Sequence, residues 1–337
     1  MKLTRIFVPL VASMVLYSCA SNNLSYEGKA FKNAYASIKA EELKKNLSVI
    51  ASDEMQGRDT GSEGQKKAGK YMIDFYKNIG VSYPKVLGSY YQTVPKEALK
   101  SRGKELPESE NILAFIEGTE KPDEIIVISA HYDHVGTKDG VVYNGADDDG
   151  SGTVAVMEIA EAFQQAKKAG KGPKRSILFL HVTGEEHGLL GSKYYADHPV
   201  YDMKNTVVDL NIDMIGRSDK ENEGKNYVYV IGSEMLSSEL KVINEAANKI
   251  THNLELNYKY DDPKDPMRLY YRSDHYNFAK SGVPVAFYFD GIHADYHQPT
   301  DDVDKIDFPL LQKRAQLVFA TAWELANRKD RIVVDKK

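Results

Sequence analysis

Cysteine is almost missing from this chain: Cys19 stands alone among 337 residues. One thiol excludes an internal disulfide and leaves the folded domain without thiol chemistry. A basic excess is missing as well. Forty-four lysines and arginines against 49 aspartates and glutamates give a net charge of −5, and no basic cluster is interleaved with aromatics. Nucleic acid is therefore not an expected partner. Tryptophan occurs once, at Trp323. There is no internal repeat and no low-complexity tract. What is present, 42% hydrophobic and 28% charged residues, suits a globular chain with a sizeable core.

Lys2 and Arg5 precede an apolar run from Ile6 to Tyr17, the charge-then-apolar layout of a secretory signal. That run falls short of the roughly 20 residues that span a bilayer as a helix. Its end, Leu16-Tyr17-Ser18-Cys19, resembles a bacterial lipobox, in which cleavage before the cysteine leaves it lipid-modified. The reading is a signal peptide over 1–18, a lipid-anchored tether over 19–30 and one catalytic domain over 31–337. It places the protein in a bacterial cell envelope, on the periplasmic side of a membrane as a lipoprotein, or secreted. The membrane is met only through Cys19.

Beyond the tether, Ile38, Leu43, Leu47 and Ile50 recur at helical spacing, which predicts a surface helix. The turn GRDTGSEG (Gly57 to Gly64) leads into a second amphipathic stretch ending at Gly80, a C-cap glycine. Then short β-rich runs begin near Ile112, Glu124, Ser176, Thr206, Tyr227 and Pro284, separated by helical stretches near Ser151, Leu189 and Ser237 and followed by a final helix from Phe308 to about Arg328. Continuous apolar strands between crossover helices imply an α/β fold, with a mixed, mostly parallel central sheet and helices on both faces.

In such sheets sites form outside the carboxyl ends of the strands. His131 and Asp133 follow IIVISA, Glu185 and Glu186 follow ILFLHVTG, Asp213 follows VVDLNI, and the stretch after PVAFYF brings His293 and His297. YNGADDDGSG (Tyr143 to Gly152) has turn composition, yet its three carboxylates would join the same cluster. Imidazole mixed with carboxylate, and no cysteine to spare, suits catalytic zinc; calcium would want more oxygen and no histidine. Taken singly, a histidine or aspartate at a strand end is more often a hydrogen-bonding cap, and His134 and His187 are read in that way.

HYDH (His131 to His134), NGADDDGSG (Asn144 to Gly152), GEEHGLLGS (Gly184 to Ser192), NIDMIG (Asn211 to Gly216) and YHQPTDD (Tyr296 to Asp302) stand in that order. This series resembles the M28 family of co-catalytic zinc aminopeptidases, across about residues 38 to 328. The resemblance implies a fold of the zinc-peptidase, phosphorylase/hydrolase type and two zinc ions. His131, Asp148 and Asp213 would ligate one, and Asp148, Glu186 and His297 the other, with Asp148 as bridge. Asp133 would orient His131, Glu185 would be general base, and Tyr296 would stabilise the oxyanion. Asp147 and Asp149 would shape the turn or help Ser151 cap the next helix. YYRSDHYNF (Tyr270 to Phe278) resembles a further family segment, in which Arg272 and Asp274 contact substrate, brace the site or form an ion pair. The loop DDPKDP (Asp261 to Pro266) is a lid or an ordinary surface loop.

The implied activity is a di-zinc metalloexopeptidase that releases N-terminal residues from peptides with a free N-terminus, with a metal-bridged hydroxide as nucleophile. Alternatives are a single-zinc acyltransferase like the glutaminyl cyclases, a carboxypeptidase or dipeptidase of the same fold, and a non-catalytic binding module.

Overall fold

Alternation of burial decides the architecture, which we describe from a computed structural model covering residues 26, 28–101 and 103–336. Eight strands form one sheet: β1 Tyr91–Val94, β2 Ser109–Ile116, β3 Lys121–His131, β4 Arg175–Val182, β5 Thr206–Ile212, β6 Tyr227–Ile231, β7 Glu255–Asn257 and β8 Val285–Phe289, in spatial order β1-β2-β4-β3-β5-β8-β6-β7. The four central strands β4, β3, β5 and β8 run parallel. Antiparallel pairs β1/β2, β2/β4 and β6/β8 lie to either side. The fold is mixed and mostly parallel at its centre, as the apolar runs predict.

Helices flank both faces. They are α1 Lys29–Ser37, α2 Ala40–Ile50, α3 Glu63–Ile79, α4 Gly152–Lys168, α5 Leu190–Asp197, α6 Leu240–Ile250, α7 His275–Lys280 and α8 Phe308–Asn327. Successive strand side chains point to opposite faces, so Ile126, Ile128 and Ala130 of β3 join a core with α1, α2, α3, α4, α6 and α8, while Ile125 and Val127 join one with α5 and α7. Trp323 packs in the first of these, against Phe31, Phe163 and Phe319. Each such aromatic pair contributes about 0.5–1.5 kcal/mol beyond its buried area. Gly80, at φ 81°, ends α3 in the left-handed conformation and its N–H returns to Lys77 O and Tyr76 O, the predicted cap.

Some boundaries differ from the sequence reading. Lys29 and Ala30, assigned to the tether, already belong to α1, whose Phe31 and Ala34 are buried against the core. The signal peptide and Cys19 lie outside the described residues. Among the described residues no helix is long and apolar enough to cross a membrane.

One buried acid in this frame gives stability a pH dependence. Glu158 of α4 is 2% exposed and accepts from Asn46 Nδ2 at 2.8 Å. Burial, then the Glu161 and Glu42 carboxylates, push it up from 4.5 to about 8. A raised acid means that the folded state keeps a proton the unfolded chain releases. Its stabilising effect is therefore full below pH 4.5 and is lost as pH rises to about 8. Glu158→Gln removes that slope. Between pH 5 and 8 the thermal midpoint of the wild type should fall by roughly 5 °C relative to the variant, and parallel curves would show that Glu158 does not carry it.

Candidate metal centre

Four parallel strands deliver their last residues to one edge. His131 ends β3, Asp213 follows β5, Glu185 and Glu186 follow β4 through Gly184 at φ 71°, and His297, at φ 55°, comes from the segment after β8. His131 Nε2 lies 3.3 Å from Asp148 Oδ1 and 3.6 Å from Asp213 Oδ1. His297 Nε2 is 3.0 Å from Asp148 Oδ2 and 3.0 Å from Glu186 Oε2. Asp148 thus turns one oxygen to each histidine. All five predicted ligand positions come together, and His134, read as a bystander, comes with them: its Nδ1 is 2.8 Å from Glu186 Oε1. His293 does not join, since its Nε2 pairs with Asp147 Oδ2 at 3.1 Å.

The aspartate triplet divides its labour. A cis peptide joins Asp148 to Asp149. Asp147 Oδ1 accepts from Gly216 N at 2.6 Å. Asp149 Oδ1 accepts from Met214 N at 3.1 Å and from Gly152 N at 2.9 Å. Gly152 opens α4, so Asp149 caps that helix rather than Ser151, whose hydroxyl donates to Asp147 O and accepts from Ile215 N. Asp301, within YHQPTDD but given no role from sequence, accepts the N–H groups of both Asp147 and Asp148 through Oδ2 at 3.0 and 3.1 Å.

A second residue that sequence reasoning missed lies beneath these loops. Arg58, fully buried, donates to Tyr132 O at 2.9 Å, Ile50 O at 2.9 Å, Asn144 O at 2.6 Å and Gly145 O at 2.9 Å. Burial pulls its pKa down, against the opposing pull of Asp148, Asp149, Asp301 and Asp133. Its partners are the end of α2, eight residues back, and two motif loops, 74 to 87 residues onward. Only GRDTG composition marks the spot, and that composition signals no more than a turn.

Asp133 departs from its expected role. His131 Nδ1 bonds to the Asp133 backbone carbonyl at 3.0 Å, while the carboxylate Oδ1 stands 3.8 Å away, beyond hydrogen-bonding distance. The carboxylate instead accepts from Thr60 Oγ1 at 3.0 Å and from Glu185 N at 3.2 Å. It therefore fixes the backbone at Glu185, and His131 is oriented by main chain.

Charges in the cluster are strongly displaced. Burial, followed by Asp213 and Glu186, pushes Glu185 well above the usual carboxylate range, against the lowering pull of His131. At Asp148 burial alone would raise the pKa, but His131 and His297 overcome it and hold the carboxyl well below its ordinary value. Tyr296 stacks on His297 with ring centroids 3.9 Å apart. Burial, then Asp148, Glu186 and Glu185, push its phenol up, so it stays a proton donor at neutral pH. Asp148, Glu185, Asp213 and Tyr296 line a cleft of about 370 Å³ whose other walls are Met214, Leu269, Phe287, Phe289, Ile292 and Arg272.

Arg272 and Asp274 form no ion pair with each other. Asp274 is fully buried and accepts from Ser192 Oγ at 2.5 Å, whereas exposed Arg272 borders the cleft. The loop over 261–266 is tied down: Asp261 accepts from Gly232 N at 2.7 Å and Asp265 from Leu269 N at 3.0 Å, and none of its residues lines the cleft.

The donor set fits divalent cations. His131 Nε2, Asp148 Oδ2 and Glu186 Oε1 are buried without a hydrogen-bond partner, which is costly for polar atoms unless something else engages them. His131, Asp148 and Asp213 offer ligand atoms within 4.8 Å of one another. Imidazole plus carboxylate, three groups to a set, suits zinc with an open position.

A probable leucine aminopeptidase of Arthroderma otae is 30% identical over 222 residues, covering 64% of this chain and 57% of that protein. The chain thus spans little more than half the length of the curated relatives it matches. Among solved structures, BSAP, a zinc aminopeptidase from Bacillus subtilis, superposes with a TM-score of 0.64 at 17% identity, over 86% of this chain and 96% of that one. Glutaminyl cyclase from Porphyromonas gingivalis superposes with a TM-score of 0.66 at 18% identity, over 84% and 97%. At such identities the likeness establishes the fold. The pattern of Peptidase family M28 matches residues 111–322, more than half of the chain and every strand-end residue from His131 to His297, and the chain belongs to that family.

Proposed function

We propose that the protein is a di-zinc aminopeptidase that removes N-terminal residues from peptides. The observation that carries this reading is the pair of imidazole–carboxylate sets sharing Asp148. His131, Asp148 and Asp213 would hold one ion, and Asp148, Glu186 and His297 the other. When bound, the ions lower the pKa of water from 15.7 toward about 7 and polarise the scissile carbonyl. Glu185, outside both sets and anchored through its N–H to Asp133, takes the attacking water's proton and returns it to the leaving amine. Tyr296, kept protonated, donates to the developing oxyanion.

Asp148 and Asp213 on the cleft wall would be taken up with the ions, whose open position offers a docking point to a free α-amine and none to a blocked terminus. Met214, Leu269, Phe287, Phe289 and Ile292 suit an apolar first side chain. Aminoacyl substrates tested against N-blocked counterparts check this reading; strong turnover of blocked substrates would refute it. Arg272 favours a second reading, a dipeptidase. Among the described residues it has no ionic partner, and it lies beside Glu185 and Tyr296, where it would meet a terminal carboxylate. Amidated dipeptides turned over as fast as free ones would exclude that. A single-zinc cyclase is disfavoured by the full ligand sets, and metal counting separates the two.

Asp148 and Asp149 should separate cleanly. Asp148→Asn is expected to lower zinc content from about two per chain to one or fewer, because an amide is a poor bridge. Asp149→Asn keeps an oxygen for Gly152 and Met214 and should keep both ions. Elemental analysis reads the difference, and equal loss in both variants would count against the bridge. For location, a lipid-bearing Cys19 on the periplasmic side of a bacterial membrane remains our reading; mass spectrometry of the mature N-terminus tests it.

A further inference from the structure

We propose that His134 is a ligand of the ion assigned to Asp148, Glu186 and His297, so that four protein groups hold this ion and three hold the other. The inference rests on the metal centre proposed above. His134 is fully buried, with Nδ1 2.8 Å from Glu186 Oε1 and 3.8 Å from Asp148 Oδ2. At 2.8 Å a hydrogen bond would be expected, yet neither Nδ1 nor Oε1 has a hydrogen-bond partner, because the ring nitrogen does not aim at the oxygen.

The same misalignment marks His131 Nε2 between Asp148 and Asp213. By contrast the other nitrogen of His131 makes an aligned bond to Asp133 O. Two ligands of one ion behave in the first way, since each directs its lone pair at a third point. Ligand atoms about 2.0–2.2 Å from a tetrahedral zinc stand roughly 3.3–3.6 Å apart. The edges from His134 Nδ1 and His297 Nε2 to the Glu186 carboxylate and to Asp148 Oδ2, from 2.8 to 3.8 Å, bracket that value.

The ring is also held in place. The backbone N–H of His134 donates to Arg58 O at 3.2 Å, which anchors the main chain that carries the ring. Gly145, at φ 55°, lies against its face so closely that a Cβ there would come within 2.5 Å of the His134 ring. His134 Nδ1 and the Asp148 and Glu186 oxygens lie within 4.8 Å of one another. The consequence is an asymmetric pair: the ion near Glu186 is the firmer one, and the ion near His131 keeps the open position.

Loss of affinity in a variant would not separate a ligand from a group that merely supports Glu186, since such supports also cost 10–100-fold. Scalar coupling does. In the chain labelled with ¹⁵N-histidine and loaded with ¹¹³Cd²⁺ in place of zinc, three imidazoles are expected to couple to cadmium: His131 and His297 through Nε2, and His134 through Nδ1. His134→Gln should lose the Nδ1 signal and keep the two Nε2 signals. The nitrogen involved identifies His134 in the wild type even if the variant does not fold. Two Nε2 couplings alone, with a proton on His134 Nδ1, would overturn the proposal and leave the metal centre standing. No coupling at all would overturn both.

Discussion

Glu185→Gln is expected to lower kcat by about 10²–10⁴-fold, the usual contribution of a general base, and to leave the zinc content of the wild type unchanged. Glutamine matches glutamate in shape and keeps the N–H that Asp133 accepts at 3.2 Å, so the loop after β4 should not move. It cannot take a proton. The electrostatics strengthen the expectation: burial and the adjacent Asp213 and Glu186 raise this carboxyl far above an ordinary glutamate, the direction a base working near neutrality needs. Ions in the cluster would offset part of that rise. Turnover of aminoacyl substrates and zinc content, measured on one preparation, decide the matter. Unchanged turnover would remove Glu185 from the chemistry, and loss of zinc together with turnover would make it a ligand instead.

Arg58→Ala should lower stability by about 3–5 kcal/mol, the largest structural effect we expect from any single substitution. Four buried carbonyls lose their donor at once, and each unsatisfied group costs about 1–3 kcal/mol before water refills part of the space. Four nearby carboxylates, Asp148, Asp149, Asp301 and Asp133, also lose a countercharge, which buried acids tolerate poorly. Arg58→Lys keeps the charge but offers one ammonium where a planar fork reached four carbonyls. It should recover less than half of the loss. Thermal and denaturant unfolding measure both variants; a deficit under about 1 kcal/mol for the alanine variant would mean that the carbonyls find other donors.

Legibility followed the range of the interactions. β2 through β6 and β8 announce themselves because a strand covered on both faces is a continuous apolar run. β1 and β7 do not: they are short edge strands with exposed residues, Tyr91 and Glu255 among them, and only pairing with a neighbour makes them strands. Four of the five ligand positions follow predicted strands, so their meeting at one edge follows from topology; Asp148 lies in the turn before α4 and is marked only by its motif. Arg58 acts on carbonyls up to 87 residues away, and no local pattern encodes that reach. His134 is in plain view beside His131, but its face is set by packing against Gly145. Asp133 shows the limit of analogy: the position is as expected, while its carboxylate serves Glu185 and its backbone serves His131.

Asp301 ties the turn bearing Asp148 to the segment bearing His297. It also sets a clock on assembly. The turn leaves the ribosome more than 150 residues before the carboxylate that accepts its N–H groups. A nascent chain halted short of Asp301 carries His131, Asp148, Glu186, Asp213 and His297 and still lacks the clasp on the Asp148 backbone. Because metal sites of this kind gain affinity only as the chain folds around them, the centre is expected to load its ions after synthesis has passed that residue, in a single late step instead of motif by motif.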